Sequence, residues 1–88
     1  MTAIDMTVWQ GRVDSADGAL GQRWHQRIRA HDESAAAGGV ALLGFACDAG
    51  VARNHGRVGA SDGPAAMRRA LSNLPSHSHQ AIFDAGDV

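Results

Sequence analysis

Residues 40–88 read VALLGFACDAGVARNHGRVGASDGPAAMRRALSNLPSHSHQAIFDAGDV and hold two apolar runs with a helical pattern between them. The first run, Val40–Cys47, is typical of a strand that is buried on both faces of a parallel sheet. A helix is predicted after Gly63, with Pro64 in its first turn. A second apolar strand begins at residues 81–83. This order of strand, helix and strand predicts a βαβ unit with parallel strands.

The helix after Gly63 has an apolar side and a charged side. Its apolar residues recur with the spacing of one helical face, and they are Met67, Ala70, Leu71 and Leu74. Arg68 and Arg69 are predicted to lie on the solvent side, and Pro75 is predicted to stop the helix. We therefore expect the apolar face to pack against the sheet.

The first 39 residues are predicted to form an N-terminal extension that contains one helix. This helix runs from Asp14 or Ser15 to about Ala30, because large apolar residues recur there every fourth position. These residues are Leu20, Trp24 and Ile28. The following polar stretch predicts a linker. The sequence thus predicts a single domain divided into the extension, 1–39, and a first βαβ unit, 40–88.

The composition bears on two questions, which are the kind of partner expected and whether the chain has enough large apolar residues for a self-supporting domain. The 88 residues include eight arginines, no lysine and nine acidic residues, for a formal net charge of −1. A near-neutral charge gives no reason to expect a nucleic acid partner. Ile, Leu, Val and Phe make up about 18% of the chain, whereas self-supporting globular domains have roughly 20% or more. Because two parallel strands do not make a stable sheet, the sequence predicts the N-terminal part of a longer α/β protein.

Targeting signals are not expected. The chain has no apolar run of about 18 residues, so no membrane-spanning helix and no membrane partner are predicted. The first residues lack the basic and apolar segments of a signal peptide. The single cysteine, Cys47, cannot form an internal disulfide. These features favour a cytoplasmic protein.

Candidate functional residues follow the two predicted strands, because parallel α/β sheets bind ligands beyond the carboxyl ends of their strands. The loop of residues 48–63 is long for a strand-to-helix connection and rich in glycine, which favours a substrate contact or a lid. A solvated surface loop is the alternative. At the second strand, Asp84 and Asp87 are candidates for paired carboxylates in acid–base chemistry. The alternative is that Asp87 accepts hydrogen bonds from backbone amides of a neighbouring loop, and this structural role is favoured.

The histidines, the cysteine and the glycine pattern do not match the spacing of known metal, nucleophile or nucleotide-binding sites. His77 and His79 lie at the amino end of a strand and have no third ligand nearby in the sequence, so a polar turn is favoured over a metal site. His55 has no acidic neighbour and is predicted to be an exposed loop residue. Cys47 is predicted to be a small buried hydrophobe. The glycine spacing does not match a dinucleotide-binding fingerprint, and a phosphate loop would need a lysine.

Four segments, taken in order, resemble the ureohydrolase family, which includes arginase, agmatinase and formimidoylglutamase. They are GFACD (44–48), RNHGRVGA (53–60), GPAAMR (63–68) and DAGDV (84–88). The loop of the form RN-x-GR-x-GA, together with WQGR (9–12) and Arg23-Trp24, is most similar to the formimidoylglutamase branch. The resemblance covers residues 9–88.

The resemblance implies a three-layer α/β/α arginase-like fold with a mostly parallel sheet, of which this chain would be the N-terminal portion. It also implies two Mn²⁺ ions and the hydrolysis of N-formimidoyl-L-glutamate to L-glutamate and formamide, a step in histidine degradation. The family's metal ligands lie in GGGH, D-A-H-x-D and D-x-D segments that this chain lacks, so no metal ligand or catalytic residue is expected here. Asn54 and Arg57 are the residues expected to contact the substrate.

Two alternatives remain open from the sequence. One is a sibling activity, agmatinase or another guanidino hydrolase, which would release a different product. The other is a non-catalytic truncated fragment, suggested by the thin core and the missing metal ligands. In the full-length form we expect a small-molecule substrate and a homo-oligomer.

Overall fold

A computed structural model describes residues 4–34, 38–56, 58–77 and 79–88. The elements, in chain order, are a 3₁₀ segment (Ser15–Gly21), helix α1 (Trp24–Arg27), strand β1 (Arg29–Ala30), strand β2 (Val40–Gly44), helix α2 (Ala49–Arg53), a second 3₁₀ helix (Ala60–Asp62), helix α3 (Gly63–Ser72) and strand β3 (Ile82–Asp87). Among the described residues, no helix combines the length and the apolar character that crossing a membrane requires.

The three strands form one parallel sheet in the order β1-β3-β2. Strand β2, helix α3 and strand β3 are the predicted βαβ unit, with Val40 opposite Ile82 and Leu42 opposite Asp84. The predicted α/β class with parallel strands is confirmed. The division at residue 39 stays a prediction.

The core lies where α3 and the N-terminal segment cover the sheet. Trp9, Ile28 and Ile82 are buried, and so one core draws on both the predicted extension and the βαβ unit. The partly buried side chains that pack against them are Met6, Val8, Trp24, Leu42 and Leu71. On β3, the buried Asp84 lies two residues after Ile82 and therefore projects from the same face of the strand.

The prediction of one helix from Asp14 or Ser15 to about Ala30 is wrong. Gly18 has φ 56° and ψ −136°, a conformation that interrupts any helix and that glycine adopts at little cost. The side chain of Asp14 does not cap a helix but binds the guanidinium of Arg23 at 2.8 Å. Leu20 is 79% exposed, so the apolar spacing does not mark a buried face.

Strand β2 is shorter and more exposed than its apolar sequence predicts. It ends at Gly44 rather than Cys47, and Val40, Leu43 and Phe45 are exposed. In the described sheet β2 is an edge strand, so no neighbouring strand flanks its outer edge. The apolar character of this run fits burial on both faces, which the described residues provide only in part.

Helix α3 begins and ends close to its predicted limits, but its orientation differs from the prediction. Met67 is 66% exposed and Leu74 is half exposed, whereas Arg68 is buried. The expectation that Arg68 lies on the solvent side is therefore wrong, and only Arg69 is exposed. The reason lies on β3, where two aspartates neutralise the guanidinium of Arg68, as described next.

Candidate functional site

The carboxyl ends of β2 and β3 meet at one edge of the sheet. Gly44 lies opposite Asp87, and the backbone N–H of Val88 donates to the carbonyl oxygen of Gly44 at 2.9 Å. A Cβ atom on Gly44 would come within 2.0 Å of Asp87 Oδ1 and 2.9 Å of Pro64 Cβ. This close approach requires glycine, and it fixes the start of the following loop beside the end of β3.

The loop after β2 is closed on itself by one carboxylate. Asp48 Oδ1 accepts hydrogen bonds from the backbone N–H groups of Gly59 at 2.8 Å and Ser61 at 3.0 Å. Asp48 Oδ2 accepts the hydroxyl of Ser61 at 2.8 Å. The backbone N–H groups of Gly59 and Ser61, followed by the hydroxyl of Ser61, hold the pKa of Asp48 below its ordinary value. The carboxylate is therefore ionised at neutral pH.

Within the loop, the described residues include one of the two predicted substrate contacts. Asn54 is exposed, directly after α2, and its amide Nδ2 donates to the carbonyl oxygen of Gly50 at 3.1 Å. Arg57 lies outside the described residues. His55, which follows Asn54, is exposed as predicted and has a positive φ of 57°. The roles of Asn54 and Arg57 stay predictions.

At the other strand end, Asp84 is fully buried, and its carboxylate accepts four hydrogen bonds from the described residues. Oδ2 accepts Trp9 Nε1 at 2.8 Å and Arg68 Nε at 2.9 Å. Oδ1 accepts Arg68 Nη2 at 3.0 Å and the backbone N–H of Gly86 at 2.8 Å. Burial would raise the pKa of Asp84, but the hydrogen bonds from Arg68, Trp9 and Gly86 hold it below its ordinary value.

Asp87 is the second carboxylate on Arg68. Arg68 Nη1 donates to Asp87 Oδ1 at 2.8 Å, and Nη2 also donates to the carbonyl oxygen of Gly86 at 3.1 Å. Burial would lower the pKa of Arg68, but the two aspartates raise it. Asp87 thus has a structural partner, which is the guanidinium of Arg68 rather than the backbone amide that the sequence interpretation favoured. The carboxylate of Asp84 is enclosed and each of its oxygens accepts two hydrogen bonds, which does not fit acid–base chemistry. We call Trp9, Asp84, Arg68 and Asp87 the buried charge network, in which Asp87 is the one member with an exposed side chain.

Sequence reasoning missed Arg68 as part of this network. An arginine on a helix is exposed by default, and its partners lie 16 and 19 residues further along the chain. One signal was available, since Arg68 ends the GPAAMR segment and DAGDV holds both aspartates. Two motifs of opposite charge at neighbouring elements of a βαβ unit are a pattern that predicts an ion pair.

Of the remaining candidates, the two histidines precede the amino end of β3, whereas Cys47 lies beside Asp48 at this edge and is less buried than predicted. His77 and His79 are exposed in the turn before β3, and Cys47 is half-buried and accepts the backbone N–H of Ala49 at 3.3 Å. Across the described ranges, no three His, Cys, Asp or Glu side chains are grouped closely enough to hold a metal ion.

Comparison with known proteins gives close relatives, although no family model matches the chain. The chain is 66% identical over 88 residues to a formimidoylglutamase of Ralstonia nicotianae, covering 99% of this chain and 27% of the relative. It is 53% identical to one of Chromobacterium violaceum and 55% identical to one of Photobacterium profundum, each over 85 residues and 97% of this chain. Those two relatives are covered over 27% and 23% of their lengths.

The chain thus spans about a quarter of the length of the curated relatives it matches. The resemblance inferred from the sequence motifs is confirmed, and the coverage is consistent with an N-terminal fragment. The parallel sheet and these relatives agree with the N-terminal portion of an arginase-like fold.

Proposed function

We propose, on the strength of this similarity to formimidoylglutamases, that the full-length protein hydrolyses N-formimidoyl-L-glutamate to L-glutamate and formamide, as a step in histidine degradation. The observation that carries the proposal is the 66% identity over 88 residues to a formimidoylglutamase. The geometry supports it, because the long loop begins at the carboxyl edge of a parallel sheet, where α/β proteins bind their ligands.

The proposed cofactor is a pair of Mn²⁺ ions. When bound, such ions lower the pKa of a water molecule and polarise the bond under attack. The described residues do not fit a metal site, because no three potential ligands among them are grouped. We therefore assign the metal ligands to other segments of the full-length protein and give this part of the chain a role in substrate binding and in shaping the site.

The proposed substrate contacts are Asn54 and Arg57. The substrate carries two carboxylates, and the planar guanidinium of an arginine can donate two parallel hydrogen bonds to one of them. The carboxamide of Asn54 can donate and accept at the same time. Asn54 is exposed on the loop, which supports its access to a ligand.

The cellular context is part of the proposal. We propose a cytoplasmic enzyme that acts on a small molecule and assembles as a homo-oligomer. Cys47 is a free thiol, and free thiols are typical of a reducing compartment, where disulfides are rare.

The test begins with the coding sequence beyond Val88. The proposal expects an open frame that leads to GGGH, D-A-H-x-D and D-x-D segments, and a purified full-length protein that releases formamide and glutamate when loaded with Mn²⁺. Release of urea from a guanidino substrate would instead identify the sibling activity. A stop codon directly after Val88 would identify a non-catalytic fragment and refute the proposal.

The substrate contacts have a matched control. Arg57→Gln is expected to raise KM by about 10-fold to 100-fold, because a hydrogen bond to a charged group is worth about 1.5–3 kcal/mol. Arg53→Gln removes the same charge from an exposed position at the end of α2 and is expected to leave KM within about twofold. Equal effects of the two substitutions would contradict a specific role for Arg57.

A further inference from the structure

The loop that follows β2 is held by hydrogen bonds that its own backbone and one hydroxyl donate to a single side chain, the carboxylate of Asp48. The partners of Asp48 lie 11 and 13 residues further along the chain, so its carboxylate brings the two ends of residues 48–61 together. Gly59 precedes the second 3₁₀ helix and Ser61 lies in its only turn, so Asp48 accepts backbone N–H groups that have no partner inside that helix.

We propose that Asp48 is a positioning residue for substrate binding, which holds the loop segment carrying Asn54 in one conformation at the carboxyl edge of the sheet. The proposal rests on the proposed function, because it takes that loop as the substrate-binding loop. Asp48 itself does not touch the substrate. The hydrogen bonds that it accepts from the described residues come from its own loop, and they leave its carboxylate turned toward Gly59 and Ser61.

Substrate affinity depends on the fraction of molecules whose loop already holds the binding-competent conformation. The apparent dissociation constant rises in inverse proportion to this fraction, so that a tenfold smaller fraction gives tenfold weaker binding. Without Asp48, two backbone N–H groups and one hydroxyl of the loop lose their acceptor and exchange it for water. The loop then samples many conformations, and substrate binding has to select the competent one.

The experiment measures KM, kcat and hydrogen exchange in the full-length protein. Asp48→Ala is expected to raise KM by about tenfold, corresponding to a tenfold fall in the competent fraction, while kcat changes by less than about twofold. Ser61→Ala removes only the hydroxyl bond and is expected to raise KM by a smaller factor. Asp48→Asn keeps an acceptor oxygen for the backbone N–H groups and is expected to restore most of the affinity.

Asp62→Ala is the matched control. It removes a carboxylate from an exposed position of the same 3₁₀ helix, and the side chain of Asp62 does not cap α3. This variant is expected to keep the KM of the parent protein. In the Asp48→Ala variant, the backbone amides of Gly59 and Ser61 are expected to exchange with solvent faster than in the Asp62→Ala variant.

The two readouts separate the two proposals. Faster amide exchange with an unchanged KM would overturn the positioning role while leaving the enzyme activity intact. Unchanged amide exchange would overturn it as well, as would a fall in kcat and in thermal stability with no change in KM. If the parent protein does not hydrolyse N-formimidoyl-L-glutamate, the proposed function fails, and amide exchange alone then decides whether Asp48 holds the loop.

Discussion

Replacing Arg68 with methionine would leave the carboxylate of Asp84 buried without its counter-charge. Asp84 has no exposed surface, and Arg68 supplies two of the four hydrogen bonds that the carboxylate accepts. Removing one partner of a buried ion pair typically costs about 3–5 kcal/mol of folding free energy. The lost bond to Asp87 adds less, because the side chain of Asp87 is 38% exposed and water can replace the arginine there.

Methionine is chosen because it keeps a long unbranched side chain and favours a helix as well as arginine does. The control is Arg69→Met on the next position of α3, where the side chain is exposed and the expected change is within about 0.5 kcal/mol. A double variant adds Asp84→Asn, which removes the unpaired charge but keeps an oxygen for Trp9 Nε1. It is expected to cost about 0.5–3 kcal/mol less than the sum of the two single variants.

The assay is denaturant unfolding of the full-length protein at pH 7, with the midpoint and slope compared across the variants. The expected order of stability is parent, Arg69→Met, double variant, Arg68→Met. If Arg68→Met shifted the midpoint no further than Arg69→Met, the reasoning that Arg68 neutralises a buried carboxylate would be refuted. Strict additivity of Arg68→Met and Asp84→Asn would refute the direct coupling between the two side chains.

Three further predictions concern the same edge of the sheet. Gly44→Ala is expected to destabilise the protein by about 1–3 kcal/mol in denaturant unfolding, because its Cβ would stand 2.0 Å from Asp87 Oδ1. The control is Gly50→Ala, whose Cβ meets no atom within 4 Å and which should be neutral or stabilising. Trp9→Phe removes one donor to Asp84 and is expected to cost about 1–2 kcal/mol, with a midpoint equal to that of the parent counting against the bond. The pKa of Asp84 is lowered in the folded protein, so the contribution of its ionised carboxylate to stability is complete at neutral pH. This contribution is lost as the pH falls through about 4 and below. The difference in unfolding free energy between the parent and Asp84→Asn should therefore shrink over that range.

The βαβ unit was predictable because its signals are local. Val40–Cys47 is an apolar run, Pro64 stands in the first turn of α3, and the second strand begins with another apolar run. Strand β1 carries no such signal. It has only two residues, Arg29 and Ala30, both exposed, and it becomes a strand because its backbone pairs with Phe83 and Asp84. Pairing of this kind depends on residues 54 positions further along the chain and leaves no trace in the local sequence.

The sequence predicts where the candidate site lies, but it predicts only some of the contacts that its residues make. Parallel strand ends meet at one edge, and so residues 48–63 and 84–87 could be assigned to it from the sequence. Which carboxylate is enclosed and which loop closes on itself depend on partners that meet only in the folded chain. Asp48 looked like one polar loop residue among several, and its three bonds are made to residues more than ten positions away.

The buried charge network also explains how the N-terminal segment belongs to the βαβ unit. Trp9 reaches Asp84 across 75 positions of sequence, and its indole N–H is used entirely by that carboxylate. A buried ion pair can often be replaced by apolar side chains without loss of stability, so stability alone is a weak reason for this arrangement.

Hydrogen bonds are directional, whereas apolar packing is not. Arg68 donates to Asp84, to Asp87 and to the carbonyl oxygen of Gly86, and these bonds fix the direction in which β3 ends. Since Gly44 packs directly against Asp87, the same bonds fix where the loop after β2 begins.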